Sequence, residues 1–308
     1  LRYCGRRFVV DKRADKVCDT IQKYHSRRIP KAVLLENLRC DGSLHDNCQA
    51  ECRFFWKDSW VRAVDPDAPP SSSQAHGDGS AALADLTSRF VKRIQEQEGQ
   101  QVVIYSCQAT ELYKASTPLS VWDPRPYIRE FISGNVPIGR FIRISMRAFN
   151  ETLNYKLRRI YRRILGKPPL TPVPLAGSRT GPPSDVLLNL KPGDWVQVKT
   201  KEEIAATLTP EGKDRGLWFD GEMLPFCGGK FRVRQCIKRF IDDRSGHMIE
   251  LKREDCVTLE DVICSGDLSL HRYFCPRAIY PYWRESWLRR VSIEAPPTSP
   301  DGSDAVSS

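Results

Sequence analysis

The chain has 308 residues, 40% hydrophobic and 28% charged, with a net charge of +10 at neutral pH. These proportions are those of a globular protein and exclude collagen-like or wholly disordered chains; no apolar run approaches the roughly 20 residues of a membrane-spanning helix. The eleven cysteines are odd in number and spread along the chain, which argues against a fully paired secreted framework and for a reducing, cytoplasmic setting.

Residues 1–64 read as a first module containing cysteine and tryptophan. Residues 65–80 (DPDAPPSSSQAHGDGS) have almost nothing to bury and read as a linker. Residues 81–167 read as a mainly helical central region. Leu83, Leu86, Phe90 and Ile94 are spaced for a helix over 81–97, and QVVIYS (101–106) for a short strand. Asp123 and Pro124 open a helix that Gly134 closes. A long basic amphipathic helix is predicted from near Pro137 to Leu165, ended by Gly166 and the prolines behind it. Residues 168–188 form a Pro-rich linker. Residues 189–291 form a complete second module, with a Gly193-Asp194 turn into a strand at WVQVK, a short helix over 202–207, and a hairpin about Asp243–Gly246. A strand at VTLEDVIC follows, and WRESWLRRV reads as one short closing helix. Residues 292–308 lack the material for a core and read as a disordered tail.

The two modules are copies of one another. YCGRRF (3–8) returns as FCGGKF (226–231), VLLENLRCDG (33–42) as VTLEDVICSG (257–266), and FFWKDSWVRAV (54–64) as YPYWRESWLRRV (280–291). The order is kept, and the offset drifts only from 223 to 227 residues. Leu1 falls opposite Leu224, and there is no initiator Met, so the first copy reads as truncated, without the opening strand of the second. The expected fold is α+β: two homologous small β-barrel (SH3-like) modules, the first truncated, joined by a mainly helical central region. Such a fold implies no function by itself.

Alignment on the tryptophans pairs Cys4 with Cys227, Cys40 with Cys264 and Cys48 with Cys275, while Cys18 falls opposite Ile241 and Cys52 opposite Ile279. The first copy offers Cys40, His45, Cys48 and Cys52 in one short stretch, with Cys4 nearby. The second offers Cys264, His271 and Cys275, with Cys227 as a fourth donor. Four N or S donors on two loops are the usual structural zinc site, so zinc is expected in at least one copy. Neither copy has a C-x2-C pair. Buried free thiols packing as small hydrophobes and disulfides such as Cys4–Cys40 and Cys227–Cys264 stay open beside it. A catalytic thiol would need a lowered pKa and a nearby base; retention of the same thiols in both copies does not favour one, and no catalytic or cofactor-binding residue is assigned. Trp56 and Trp60, like Trp283 and Trp287, read as the apolar face of a helix sealing a small core, with an aromatic cage as the alternative. Glu36 and Glu260, and Asp19 and Asp242, read as turn or strand-end residues.

Nine basic residues and one acid lie between Arg140 and Lys167, which accounts for +8 of the net +10. Met146, Phe149, Leu153, Leu157, Ile160 and Ile164 form an apolar stripe there, with Arg143, Arg147, Arg158, Arg159, Arg162 and Arg163 largely off it. Either the stripe packs on a module or a second chain, or the helix meets an anionic partner, nucleic acid or an anionic membrane, through residues 140–167. No helix-turn-helix, zinc-finger or RNA-recognition signature accompanies it.

The strings LPFCGGKFRV, LRCDG, CQAEC, FFWKDSW and FCPRAIYPYWRESWL resemble a module found, often in tandem, in an uncharacterised bacterial protein family. The resemblance covers 1–64 and about 189–291. It implies the tandem architecture and a bacterial origin, and no activity. The expected function is a non-enzymatic tandem-module binding or scaffold protein with a protein or peptide partner. The alternatives are a nucleic-acid or anionic-membrane binder acting through 140–167, and an enzyme of unknown class using the cysteine-rich loops. No small-molecule substrate is indicated.

Overall fold

A computed structural model describes residues 3–22, 24–65, 91–97, 99–120, 123–168, 172–185 and 187–292. In the first copy, β1 (Val10–Arg13), β4 (Ala32–Arg39) and β5 (Arg53–Lys57) form one antiparallel sheet in the order β1-β4-β5. Between them in sequence, β2 (Lys16–Cys18) and β3 (Ser26–Arg28) make a small second sheet with β8 (Thr117–Leu119) of the central region. The consecutive apolar residues Ala32, Val33, Leu34 and Leu35 are all buried, so this end of β4 is covered on both faces.

Among the described residues the expected mainly helical central region is instead a mixture of strands and helices. Lys92–Gln97 forms β6 and Gln100–Tyr105 forms β7, paired in unbroken register from Lys92↔Tyr105 to Gln97↔Gln100. The helix expected over 81–97 is therefore a strand in its last turn, and 66–90 lie outside the described residues. The β-branched run of β7 follows immediately, and Gly99 (φ 74°) turns the chain so that the two segments pair. β7 then meets the second copy at Ile104↔His247, as β8 meets the first. Among the described residues three helices complete the region: α1 (Gln108–Glu111), α2 (Arg125–Ile132) and α3 (Ile138–Ile164). α3 starts after Pro137 and stops before Gly166, which has φ 62°.

The second copy contains β9 (Trp195–Val198), α4 (Lys201–Thr207), β10 (Lys213–Asp214), β11 (Leu217–Trp218), β12 (Lys230–Cys236), β13 (Arg239–Ile241), β14 (Met248–Glu250), β15 (Cys256–Leu259), β16 (Trp283–Arg284) and β17 (Leu288–Arg290). Thr200 and Glu203 cap α4 reciprocally through side chain and backbone. Five strands form one antiparallel sheet in the order β16-β15-β12-β9-β17. Its outer strands β16 and β17 are not paired with each other, so the expected SH3-like barrel does not close. Neither does one close in the first copy, where the structure has small open sheets.

WRESWLRRV is not a helix. Trp283 and Arg284 pair with Val257 and Cys256, while Leu288 to Arg290 pair with Val198 to Val196. The sheet claims both ends, leaving only Glu285–Trp287 for a single 3-10 turn. The tryptophans still meet. Both are fully buried with ring centroids 6.5 Å apart, and Phe219 packs on each.

The duplication extends to individual hydrogen bonds. β1 pairs with β4 through Val10↔Leu35 and Lys12↔Leu34, and β12 pairs with β15 through Val233↔Leu259 and Gln235↔Thr258, with the same register shift between the two pairs. Asp58–Trp60 forms a 3-10 turn equivalent to Glu285–Trp287. The copies differ at one edge. β12 has β9 beside it, whereas among the described residues no strand lies on that side of β1. Val10 and Trp60 are accordingly 51% and 63% exposed, although their counterparts Val233 and Trp287 are fully buried.

Part of the expected linker 168–188 is docked on the second copy: Gly177, Ser178 and Arg179 donate backbone N–H groups to the carbonyls of Thr209, Ala205 and Leu208. Of the expected linker 65–80 and tail 292–308, residues 66–80 and 293–308 lie outside the described residues.

Gly42 and Gly266 occupy equivalent tight turns at φ 72° and 73°, where a Cβ would lie 2.0 Å from the Cys48 carbonyl oxygen and 2.5 Å from that of Cys275. Gly266→Ala is expected to lower stability by about 3 kcal/mol or more in urea denaturation. Gly181→Ala, where a Cβ meets nothing within 4 Å, should change it by under about 0.5 kcal/mol.

Candidate functional site

The two copies meet along a seam with approximate two-fold symmetry, and its central contacts are reciprocal. The backbone N–H of Cys18, at the end of β2, donates to Sγ of Cys275 at 3.2 Å. The backbone N–H of the equivalent Ile241, at the end of β13, donates to Sγ of the equivalent Cys48 at 3.4 Å. Lys16 donates to the Tyr273 carbonyl oxygen, and its counterpart Arg239 donates to that of Asp46. Thr20 and Asp243, which are counterparts, hydrogen-bond each other at 2.6 Å where the symmetry relates them. Cysteine, small and weakly accepting through sulfur, suits a site that must be both packed and mildly polar.

The loops carrying the two sulfurs are held by backbone capture. In the second copy the buried Glu222 carboxylate accepts the N–H groups of Ser265, Gly266, Leu268 and Ser269. Buried Arg277 reaches Thr20 Oγ1 and Asp243 Oδ2 at 3.3 and 3.4 Å. A cavity of about 360 Å³ opens beside the seam, bordered by Cys18, Cys52, Cys264, Cys275, Arg277 and Tyr282 among others.

The thiols along this cavity differ in acidity. Burial pushes Cys275 up, but the Cys18 thiol donating to it, the Lys16 ammonium and the N–H groups of Arg277 and Cys18 outweigh burial, so it is held below the usual thiol range. Cys18 moves the opposite way, chiefly because its thiol is the donor in that hydrogen bond and because it is buried. Burial pushes Cys52 up to about 12 and also raises Cys264. It lowers the pKa of Lys16, whose Nζ lies 5.0 Å from the Tyr127 ring centroid and 5.8 Å from that of Phe274.

All eleven cysteines are free thiols, so neither Cys4–Cys40 nor Cys227–Cys264 is joined. Among the described residues no three His, Cys, Asp or Glu side chains gather so as to hold a metal ion. Cys4 is exposed and Cys227 half-buried on the outer side of each copy, whereas Cys48 and Cys275 point into the seam as acceptors. Cys40 and Cys264 use their N–H groups to bond the carbonyls of Cys52 and Ile279. His45 and His271 are half-buried, both held below the usual histidine range by burial, and His271 packs edge-on against Tyr155. Asp19 and Asp242 cap turns, accepting the N–H groups of Ile21 and Gln22, and of Ser245.

The second feature is α3, which carries two apolar stripes. Phe141, Ile144 and Ala148 pack with Tyr273, Phe274 and Val136, and Phe141 stacks on Phe274 at 5.6 Å. The stripe singled out from the sequence lies about 150° around the helix at about 100° per residue, and it faces solvent. Met146, Phe149, Leu153, Leu157, Ile160 and Ile164 are all exposed, Phe149 at 72% and Ile164 at 76%. It packs on no module. Arg140 is paired with Asp267, Arg147 with Glu151, and Arg162 donates to the Pro168 carbonyl. Among the described residues, Arg143, Arg158, Arg159 and Arg163 are exposed and have no acidic partner.

Comparison with known proteins gives no matching family model, no matching curated protein and no matching solved structure. Among the described residues no helix is long and apolar enough to cross a membrane.

Sequence reasoning passed over Lys16, Cys18 and Arg277. A signal for Cys18 was present: it is a cysteine in a strand whose counterpart carries isoleucine, so a role common to both copies does not explain it. Because the Cys275 pKa is lowered, its thiolate should persist at neutral pH. Thiolate absorbance of wild type minus Cys275→Ser should titrate below the ordinary thiol range, and Lys16→Met, which removes a nearby positive charge, should raise that midpoint.

Proposed function

We propose that the chain is a non-enzymatic two-module binding protein that docks on an anionic membrane surface through the outward face of α3. The observation that carries this reading is the exposure of six large apolar side chains on one helical face, bordered by arginines without acidic partners. Arg143 lies on one side of the stripe and Arg159 and Arg163 on the other, so long cationic side chains can reach headgroups while the stripe enters the acyl boundary. Each exposed apolar side chain gains about 1.5–3 kcal/mol on full burial, and each arginine about 1 kcal/mol near an anionic leaflet.

Other occupants fit less well. A second copy packed stripe to stripe would bring two sets of unpaired arginines together. A phosphate backbone would satisfy the arginines and leave the stripe in water. The reciprocal seam contributes a firm base, because the buried face of α3 is packed against residues beside one of its sulfurs, Tyr273 and Phe274.

Sedimentation with vesicles tests this. The protein should bind vesicles of phosphatidylcholine mixed with phosphatidylglycerol, more weakly as salt rises, and should bind pure phosphatidylcholine poorly. Phe149→Glu with Ile160→Glu should weaken binding at least about tenfold, and Ala at Arg143, Arg158, Arg159 and Arg163 about a hundredfold or more. Equal binding by wild type and these variants, or binding to duplex DNA without binding to vesicles, or a dimer abolished by the Glu variant, would overturn the reading.

A further inference from the structure

The seam repeats one contact twice, yet the two versions are chemically unequal. In both, a backbone N–H of one copy donates to a cysteine sulfur of the other. The donating residue is Ile241 in one version and Cys18 in the other, so the structural contact needs no side-chain sulfur at that position. Cys18 nevertheless places a second thiol in the same buried cluster as Cys275, whose sulfur accepts the Cys18 backbone N–H at 3.2 Å. This is a pair of buried thiols from residues 257 apart in sequence.

We propose that Cys18 and Cys275 are a hydroperoxide-reactive dithiol, which oxidation converts into a disulfide joining the two modules. Both sulfurs border the cavity of about 360 Å³, ample room for a small hydroperoxide. The 3.2 Å N···S contact, with an N–Cα bond of about 1.46 Å, puts the Cys275 sulfur at most about 4.7 Å from the Cys18 Cα. The Cys18 sulfur, two bonds from its own Cα, can reach the Cys275 sulfur by rotation about χ1. Arg277 and Lys16 place positive charge near the reacting sulfur, and Arg277 also borders the cavity.

In the first step the Cys275 thiolate attacks one peroxide oxygen. The O–O bond breaks, the other oxygen leaves as hydroxide and takes a proton to become water, and Cys275 becomes a sulfenic acid. Cys18 then attacks the Cys275 sulfur. The S–S bond forms as the S–O bond breaks, and the hydroxide released takes the Cys18 proton. Two thiols and one hydrogen peroxide give one disulfide and two waters; the thiols are oxidised by two electrons and the peroxide is reduced by two. Cys275 acts first because its sulfur accepts the Cys18 N–H and lies beside Lys16 and Arg277 at the cavity. Cys52 and Cys256, both pushed up to about 12 by burial, are internal standards for unreactive thiols.

The test uses the folded, fully reduced chain and one equivalent of hydrogen peroxide, followed by alkylation under denaturing conditions and peptide mass mapping. Two of the eleven thiols should be lost, in a dithiothreitol-sensitive peptide pair joined through Cys18 and Cys275, at least tenfold faster than either Cys52 or Cys256. Recovery of Cys18 and Cys275 as separate alkylated peptides while other thiols are consumed, or linkage of either to a different cysteine, would overturn the proposal. This reading needs no variant, so no folding defect can mask it. In Cys18→Ser, dimedone should trap a sulfenic acid at Cys275; in Cys275→Ser none should appear at Cys18, and its appearance there would contradict the assigned order of attack.

Discussion

A main-chain N–H pointed at a cysteine sulfur across the seam, made once in each direction, fixes how the two copies sit together. Cys18 and Ile241 end equivalent short strands, and Cys275 and Cys48 lie on equivalent loops, so each copy both gives and receives. The loops are bent to present those sulfurs. At Gly42 and Gly266 the backbone takes a left-handed conformation and passes so close to the cysteine carbonyl that no Cβ fits. Glu222 then gathers four N–H groups of the second loop, satisfying donors that would otherwise be buried unpaired. Sulfur is a weak acceptor, so these contacts set geometry more than they supply strength. Strength comes from the apolar packing behind them, where Val17, Ile29, Ala32 and Leu34 of the first copy cluster with Cys275 of the second.

Charge buried away from the seam follows the same economy. Asp255 is almost wholly buried between Arg215 and Arg284, each at 2.6 Å, and Glu285 accepts the N–H groups of Leu188, Asn189 and Leu190. Both act on the 3-10 turn and strands that close the second sheet. The basic residues of α3 are different: Arg140 and Arg147 pair with the carboxylates of Asp267 and Glu151, while Arg143, Arg158, Arg159 and Arg163 are exposed without an acidic partner among the described residues.

The duplication was legible in the sequence because blocks of aligned cysteine, glycine and tryptophan survive in order, and the structure repeats them down to one register shift. α3 and its boundaries were legible too, from Pro137, Gly166 and a long helical period. Which of its faces is buried was not, since Phe141, Ile144 and Ala148 form a shorter and weaker pattern than the stripe that stays exposed. The closing segment misled for a related reason. Tryptophans four residues apart fit a helical face, but the hydrogen bonds of Trp283 and Leu288 are claimed by strands far away in sequence. The expected metal clusters rested on proximity along the chain. The loops send Cys48 and Cys275 toward the opposite copy instead, and only the tertiary fold determines that.

One property of the seam reaches past present stability. Its donors belong to the peptide backbone, which every residue except proline supplies, so the docking of the two halves places little demand on what the donating residue carries. After the ancestral unit doubled, that position was left open to drift in either half without loosening the joint. Isoleucine and cysteine now occupy it. New chemistry could arise at the heart of the assembly, next to a fixed sulfur, without first dismantling the architecture that holds it.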